Sequence, residues 1–158
     1  MRTRDGGFCL SEALLAVAVL ALLVGLGFSQ APLWLARQRV DGAMRQVELD
    51  LHRARLEAQR RGQPCGMTLS TEGWRAPVAG ELAPCFEGSD PLGEGFLLQH
   101  NFPDVLRFSA NGLVLDGGTV LISASGGAVV RCLVMSLPLG ITRLGRYSGG
   151  LCEADSSL

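Results

Sequence analysis

The side chains best suited to chemistry in this 158-residue chain are five cysteines and two histidines. His52 falls beside Glu48 on the polar side of a helical segment, and His100 precedes Asn101 in a loop. Neither histidine accompanies a nucleophile motif, and the sequence contains no glycine-rich phosphate loop. We therefore expect that the protein is not an enzyme, that it has no catalytic or metal site, and that it needs no cofactor.

Four of the cysteines fall into two pairs with the same spacing. Cys65 and Cys85 are twenty residues apart, as are Cys132 and Cys152. This spacing differs from the C-x₂-C pattern of zinc sites, and an even set of cysteines in an exported domain indicates disulfides. Three connectivities are allowed, and we favour Cys65–Cys85 and Cys132–Cys152 because both close local loops. Buried free thiols are the alternative, and Cys9 is expected to be unpaired.

A long apolar stretch near the N-terminus carries one carboxylate at its start. No charge occurs in the 24 residues from Ala13 to Ala36, and about 20 apolar residues suffice to cross a bilayer as a helix. Arg2 and Arg4 precede the stretch, so the positive-inside rule predicts a cytoplasmic N-terminus and an external C-terminal domain. An acid such as Glu12 within a membrane segment is costly unless it is paired.

The hydrophobic content of 47% excludes a disordered chain.

The residues around Glu12 form a specific sequence motif. Residues 7–12 read Gly-Phe-Cys-Leu-Ser-Glu, which resembles the Gly-Phe-Thr-Leu-Ile-Glu run of type IV pilins and type II secretion pseudopilins. The resemblance implies that residues 1–7 are a leader, that prepilin peptidase cuts between Gly7 and Phe8, and that Phe8 is then N-methylated. It also implies a filament in which Glu12 pairs with the Phe8 amine of a neighbouring subunit, which neutralises a carboxylate in a low-dielectric surrounding.

Apolar residues continue past the charge-free stretch at helical spacing. They form one stripe, which consists of Val40, Met44, Val47, Leu51, Ala54 and Ala58. A helix from Phe8 to Arg61 would be roughly 80 Å long, with a kink at Pro32 and a stop signal at Gly62. We expect residues 8–36 to be its transmembrane part. Residues 37–61 would be an amphipathic half that lays its stripe on a domain, with a coiled coil as the alternative.

Beyond the helix, short apolar runs alternate with turn residues. The candidate strands are Met67–Ser70, Glu81–Phe86, Phe96–Gln99, Val105–Ser109, Thr119–Ala124, Val129–Ser136 and Ile141–Leu144. Consecutive long runs favour antiparallel hairpins. The predicted fold is α+β, a pilin-like arrangement of a long N-terminal transmembrane helix packed on an antiparallel β-sheet domain, with residues 62–158 as the exported β-rich globular part. The i,i+4 pairs Asp41/Arg45 and Glu57/Arg61 are expected on the exposed helix face.

Two segments in the C-terminal half of the chain narrow the resemblance to one group of pseudopilins. Residues 106–112 resemble the Phe-x-x-x-Gly stretch of the H-type minor pseudopilins, the FimT-like group, and residues 134–143 resemble their closing Val-x-Ser…Gly-Arg-x-Arg segment. Gly140 and Arg143 match that segment, whereas Ile141 replaces its first Arg. Some FimT-like proteins are implicated in DNA uptake through this segment, so the resemblance raises DNA contact as a second hypothesis.

Charge is distributed unevenly along the exported part, although the whole chain has a formal net charge of only −1. Residues 62–104 carry one Arg against six acids, a net charge of −5, whereas residues 105–152 carry four Arg against one Asp, a net charge of +3. A DNA contact would therefore fall on Arg143 and Arg146. Leu144-Gly145 between them is expected to turn the backbone and present both to one strand of DNA. An ordinary polar sheet face is the alternative.

The resemblance implies a minor pilin or pseudopilin, a structural subunit of a type IV pilus or a type II secretion pseudopilus. Its partners would be other pilins or pseudopilins, prepilin peptidase, the inner-membrane assembly platform and membrane lipid, with DNA as a further partner. It would be a single-pass protein of the bacterial inner membrane with a periplasmic C-terminal domain, found in the filament after assembly. The alternatives are a DNA-binding minor pilin for natural transformation and a single-pass anchored protein with no filament role.

Overall fold

The computed structural model describes residues 9–28, 31–78, 82–127 and 129–155. The chain divides into two compact units, Met1–Leu35 and Ala36–Leu158. Two helices, α1 (Leu10–Phe28) and α2 (Ala31–Arg61), come first. Pro32 lies in the first turn of α2, where its missing N–H costs no helical hydrogen bond. The predicted continuity of the helix through residues 29 and 30 lies outside the described residues.

The predicted C-terminal end of the helix is confirmed. Helix α2 ends at Arg61, and Gly62 follows with a φ of 62°. The Gly62 N–H donates to the Gln59 carbonyl oxygen at 3.2 Å. Glycine adopts this left-handed conformation without the steric cost of a Cβ atom, so it ends the helix here.

Apolar side chains of α1 are exposed rather than packed. Those at least 60% exposed are Leu10, Leu14, Leu15, Val17, Leu20, Leu22 and Leu23. Among the described residues, none of the helices has both the length and the apolar character required to span a membrane. The transmembrane segment predicted for residues 8–36 includes residues 8, 29 and 30, which lie outside the described residues.

The apolar stripe of α2 is buried against strands of the same chain. All six stripe residues are at most 2% exposed, and they share one core cluster with Trp74, Phe108, Ile122 and Leu133. The Trp74 indole N–H donates to the Val47 carbonyl oxygen at 3.2 Å, which fixes one strand to the middle of the helix. The prediction that the stripe packs on the domain is confirmed, because its side chains are covered by this chain's own sheets.

The described residues form eight strands in two antiparallel sheets. They are β1 (Cys65–Ser70), β2 (Gly73–Arg75), β3 (Phe96–His100), β4 (Leu106–Phe108), β5 (Gly118–Ala124), β6 (Val130–Ser136), β7 (Ile141–Ser148) and β8 (Leu151–Ala154). One sheet has the order β2-β1-β4 and the other β3-β5-β6-β7-β8. The predicted α+β class and the consecutive hairpins are confirmed, since β5, β6, β7 and β8 pair in sequence order.

One predicted strand is wrong, and two strands were not predicted. Residues 82–86 form no strand, although Cys85 N–H donates to the Gly66 carbonyl oxygen at 3.0 Å. Pro84 in this segment has no N–H to donate, so a regular ladder cannot continue there. Strands β2 and β8 are three and four residues long. Elements this short are not recognised from an alternation of apolar and polar residues in the sequence.

The charged pairs of α2 differ in part from those expected from helical spacing. The Glu57/Arg61 pair is confirmed, with Arg61 Nε 2.7 Å from Glu57 Oε1. The Asp41/Arg45 pair is wrong, because Asp41 instead accepts two hydrogen bonds from Arg131 of β6, at 2.6 and 3.3 Å. A bidentate contact to a guanidinium held in a sheet is stronger than one to an exposed helical neighbour.

Asp50 is an acid in an unfavourable position on α2. Its Oδ2 atom is buried without a hydrogen-bond partner among the described residues. Burial raises the pKa of Asp50 above its usual value, although a hydrogen bond from Ser89 and the nearby Arg53 both lower it. A folded-state pKa above the unfolded value means that the native state binds more protons. Native stability therefore falls as pH rises through the interval between the two values.

We expect Asp50→Asn to raise the free energy of unfolding at pH 7 and to change it little at pH 3. The gain should be below about 1 kcal/mol, because water screens a carboxyl that is only partly buried. Denaturant titration of the full chain at the two pH values measures the difference. Glu94→Gln removes an exposed acid and is the matched control. An Asp50→Asn variant with the same pH dependence as the native protein would contradict the prediction.

Candidate functional site

Glu12 lies in the first turn of α1, where it accepts a hydrogen bond from the start of the helix. Its Oε2 atom is 3.3 Å from the backbone N of Cys9, and the Cys9 carbonyl oxygen accepts the Glu12 and Ala13 N–H groups at 3.0 and 3.2 Å. This is half of a capping box, in which a glutamate three residues into a helix reaches back to the residue before it. Gly7 and Phe8 lie outside the described residues, so the predicted cleavage site and the predicted methylation site stay predictions.

This geometry aims the carboxylate at the N-terminal end of α1. Cys9 directly follows Phe8, whose amine would be created by the predicted cleavage. Glu12 therefore already contacts the backbone one residue from that amine, and the positive end of the helix dipole favours a carboxylate there. The predicted assembly role of Glu12 needs the same oxygen atoms that cap the helix.

The side chains of α1 are mostly apolar, and those that the structure describes are exposed. A Cβ atom built on Gly25 would meet nothing within 4 Å, so this glycine serves no close packing within the described chain. Leu15 and Leu22 are 68% and 71% exposed. An exposed apolar helix of this kind is suited to contact with lipid or with the helices of other subunits.

Both predicted disulfides are present in the structure. Cys65–Cys85 and Cys132–Cys152 have S–S distances of 2.09 and 2.03 Å, whereas Cys9 has no disulfide. The first disulfide holds the irregular segment around residue 85 against the start of β1. The second joins β6 to β8, which flank β7 on its two sides.

The second disulfide crosses β7 where that strand has no side chain. Gly145 pairs with Cys132 on one side and with Ala154 on the other. A Cβ atom on Gly145 would clash with the Glu153 carbonyl oxygen, so only glycine permits β8 to approach this closely. Within the described residues, β8 pairs only with β7, so the disulfide to β6 is a second and covalent attachment of this edge strand.

We expect the double variant Cys132→Ser/Cys152→Ser to lose about 2–4 kcal/mol of unfolding free energy. Because β8 is an edge strand, its amide hydrogens should exchange much faster in the variant, whereas those of β5 should keep most of their relative protection. Hydrogen-exchange mass spectrometry of the full chain measures both. Cys9→Ser is the control and should change neither. Four alkylatable thiols after residue 62 in the native protein would contradict the disulfides themselves.

Arg143 and Arg146 lie on one continuous strand. β7 runs without a break from Ile141 to Ser148, and its register with β6 is regular. The turn predicted at Leu144-Gly145 is therefore wrong. Side chains three residues apart in a regular strand point to opposite faces of the sheet, so Arg143 and Arg146 do not face one strand of DNA together.

Most of the basic charge in the second half of the domain is paired internally. Three of its four arginines contact carboxylates, through the pairs Arg107–Asp116, Arg131–Asp41 and Arg146–Asp155. The Arg107 guanidinium holds the pKa of Asp116 below its usual value. Arg143 is exposed and has no ion pair within the described ranges. The net charge counted along the sequence therefore overstates the positive field at this surface, and DNA contact at Arg143 and Arg146 stays a prediction.

Both histidines are exposed on the unit Ala36–Leu158. His52 Nε2 is 3.5 Å from the Thr142 hydroxyl, which donates to Glu48 Oε1 at 2.7 Å. The His100 ring lies 6.3 Å from the Phe102 ring, measured between centroids. Within the described residues, no group of three or more His, Cys, Asp or Glu side chains is placed to hold a metal ion.

Sequence reasoning missed Arg131, the most buried charged residue of the domain. Arg131 is 8% exposed and lies at the third position of the apolar run Val-Val-Arg-Cys-Leu-Val-Met. A single Arg inside a strand of that kind signals a buried ion pair, since an unpaired charge cannot be buried cheaply. The partner, Asp41, is 90 residues away in sequence and no local spacing identifies it.

An exposed apolar N-terminal helix, followed by a helix whose buried stripe packs on antiparallel sheets, is typical of a pilin-like subunit. A family model confirms and narrows this class, because the model of the type II transport protein GspH matches residues 43–138. The chain belongs to this family of minor pseudopilins. The matched range runs from α2 to just beyond β6, and it excludes Glu12, Arg143 and Arg146. No curated protein and no solved structure gives a significant match.

Proposed function

We propose that this protein is a minor pseudopilin that prepilin peptidase processes and that is then assembled into the pseudopilus of a type II secretion system. The match of residues 43–138 to the GspH family carries the proposal. That range holds most of the α2 stripe, both cysteines of the first disulfide, and strands β1 to β6. The protein acts as a structural subunit, with other pseudopilins as its partners, and the assembly platform would receive it from the inner membrane.

The N-terminal part supplies the anchor and the assembly contact in this proposal. The charge-free stretch from Ala13 to Ala36 supports a position of residues 8–36 in the inner membrane, with the sheets on the periplasmic side. The exposed apolar surface of α1 supports contact with lipid first and with neighbouring α1 helices later. Glu12 would then exchange its capping contact at Cys9 for the Phe8 amine of a neighbour.

DNA uptake is a weaker proposal for this chain. Its support is the segment that ends in Arg143, and the exposed side chain of Arg143. Against it stand the internal pairing of Arg146 with Asp155 at 2.7 Å and the opposite orientation of the two arginines. A role in secretion is therefore the better supported of the two proposals.

The processed protein should lack residues 1–7 and carry one added methyl group on Phe8. Intact-mass measurement of protein extracted from cell membranes reads both changes at once. The same chain from cells without prepilin peptidase is the control and should retain Met1. A Met1 N-terminus in cells with active prepilin peptidase would contradict the pseudopilin proposal.

Two substitutions at Glu12 separate its capping role from its pairing role. Glu12→Ala removes both, whereas Glu12→Gln keeps an oxygen that accepts the Cys9 N–H but removes the charge. We expect both variants to reduce co-purification with the other pseudopilins by roughly tenfold, since a charge-assisted hydrogen bond is worth about 1.5–3 kcal/mol. Normal incorporation of Glu12→Gln beside a defect in Glu12→Ala would show that Glu12 only caps the helix.

A further inference from the structure

Three arginines line one hollow at an end of the five-stranded sheet. The hollow has a volume of about 280 Å³ and lies beside Arg37 of α2, Arg131 of β6 and Arg146 of β7. Tyr147 and Ser148 of β7 also line it. All five residues belong to the unit Ala36–Leu158. The polar side chains converge from three elements, as they do in binding sites for small ligands.

The charges of this hollow do not balance. Arg131 is held by Asp41, and its side chain is only 10% exposed. Arg146 Nε donates to Asp155 Oδ2 at 2.7 Å, and Arg131 Nη1 is 3.8 Å from the same oxygen. Arg37 makes no ion pair with any of the described residues. Among the residues that the structure describes, three guanidinium groups thus face two carboxylates in this hollow, which leaves one positive charge for an anion.

The two carboxylates also orient the arginines that they contact. Asp41 fixes Arg131 through two hydrogen bonds, and Asp155 engages Nε of Arg146, so the Nη groups of Arg146 stay available. A fork of guanidinium nitrogens suits phosphate oxygens, because it donates parallel hydrogen bonds. The residual charge of one unit equals that of a phosphodiester, whereas a neutral ligand would leave it uncompensated.

The position of Arg37 in the sequence indicates which molecule would supply the phosphate. Arg37 is the first charged residue after the charge-free stretch that ends at Ala36. If residues 8–36 span the membrane, a residue at that place would lie at the level of the lipid headgroups, where a guanidinium can donate hydrogen bonds to a lipid phosphate. We propose that the hollow binds the phosphate group of an anionic phospholipid. This inference rests on the proposed membrane position of residues 8–36.

Lipid binding to the full chain in a nonionic detergent tests the site. Native mass spectrometry measures occupancy by phosphatidylglycerol, by phosphatidylcholine and by inorganic phosphate. The variant is Arg37→Gln, and the matched control is Arg143→Gln, which removes an exposed arginine on the opposite face of β7. We expect Arg37→Gln to weaken phosphatidylglycerol binding by about tenfold, and Arg143→Gln to leave it unchanged. Thermal unfolding without lipid should be the same for both variants and the native chain.

Two other binding results would each overturn part of the inference. Equal binding of phosphatidylglycerol and phosphatidylcholine, unaffected by Arg37→Gln, would mean that lipid coats the apolar helix and that the hollow is not a lipid site. Binding of inorganic phosphate that needs Arg37, without an effect on phosphatidylglycerol, would overturn the lipid source. N-terminal processing is measured separately, so an unprocessed chain that binds phosphatidylglycerol through Arg37 would refute the pseudopilin proposal and leave this site standing.

Discussion

Burial of the α2 stripe is the interaction on which the rest of the unit Ala36–Leu158 depends. The stripe is the common wall of both sheets, since it shares one core with Trp74 of the three-stranded sheet and with Leu133 of the five-stranded sheet. Fully burying a Val, Leu or Met side chain is worth about 1.5–3 kcal/mol. The four large stripe side chains thus supply roughly 6–12 kcal/mol, which is comparable with the net stability of a whole domain. Neither sheet would keep its core without this helix.

Polar contacts then set the position of the sheet along the helix. Apolar burial is non-directional, so it cannot by itself prevent a shift by one helical turn. Asp41 engages Arg131 near one end of β6, and Glu48 engages Thr142 at the start of β7. These two contacts are about two helical turns apart on α2 and fix the register of helix against sheet. A buried ion pair adds little net stability, but it penalises every arrangement that leaves Arg131 unpaired.

The sequence predicted the elements whose signals are local. The α2 stripe repeats over five turns, and the two disulfides were favoured because each closes a local loop, so both could be predicted without coordinates. Strands β2 and β8 could not, because β2 depends on the burial of Trp74 and β8 on a disulfide and on Gly145. The ion pair between Arg146 and Asp155 could not be predicted either, because Asp155 lies on a segment whose path only the structure provides. A net charge counted along the sequence ignores ion pairs of this kind, which form only in the folded chain.

The contrast between the two helices bears on how such a subunit would assemble. Helix α2 buries its apolar stripe within its own domain, whereas α1 keeps Leu15 and Leu22 exposed. If residues 8–36 lie in lipid as proposed, transfer of α1 into a filament core exchanges one apolar surrounding for another and yields little hydrophobic gain. Specificity must then come from polar groups that lipid cannot satisfy. Glu12 is such a group, because a carboxylate in an apolar surrounding needs a partner, and its capping contact at Cys9 is one that it could exchange for the amine of a neighbour. The apolar surface of α1 would hold the subunit in the membrane or the filament, and Glu12 would select the register in which one helix meets the next.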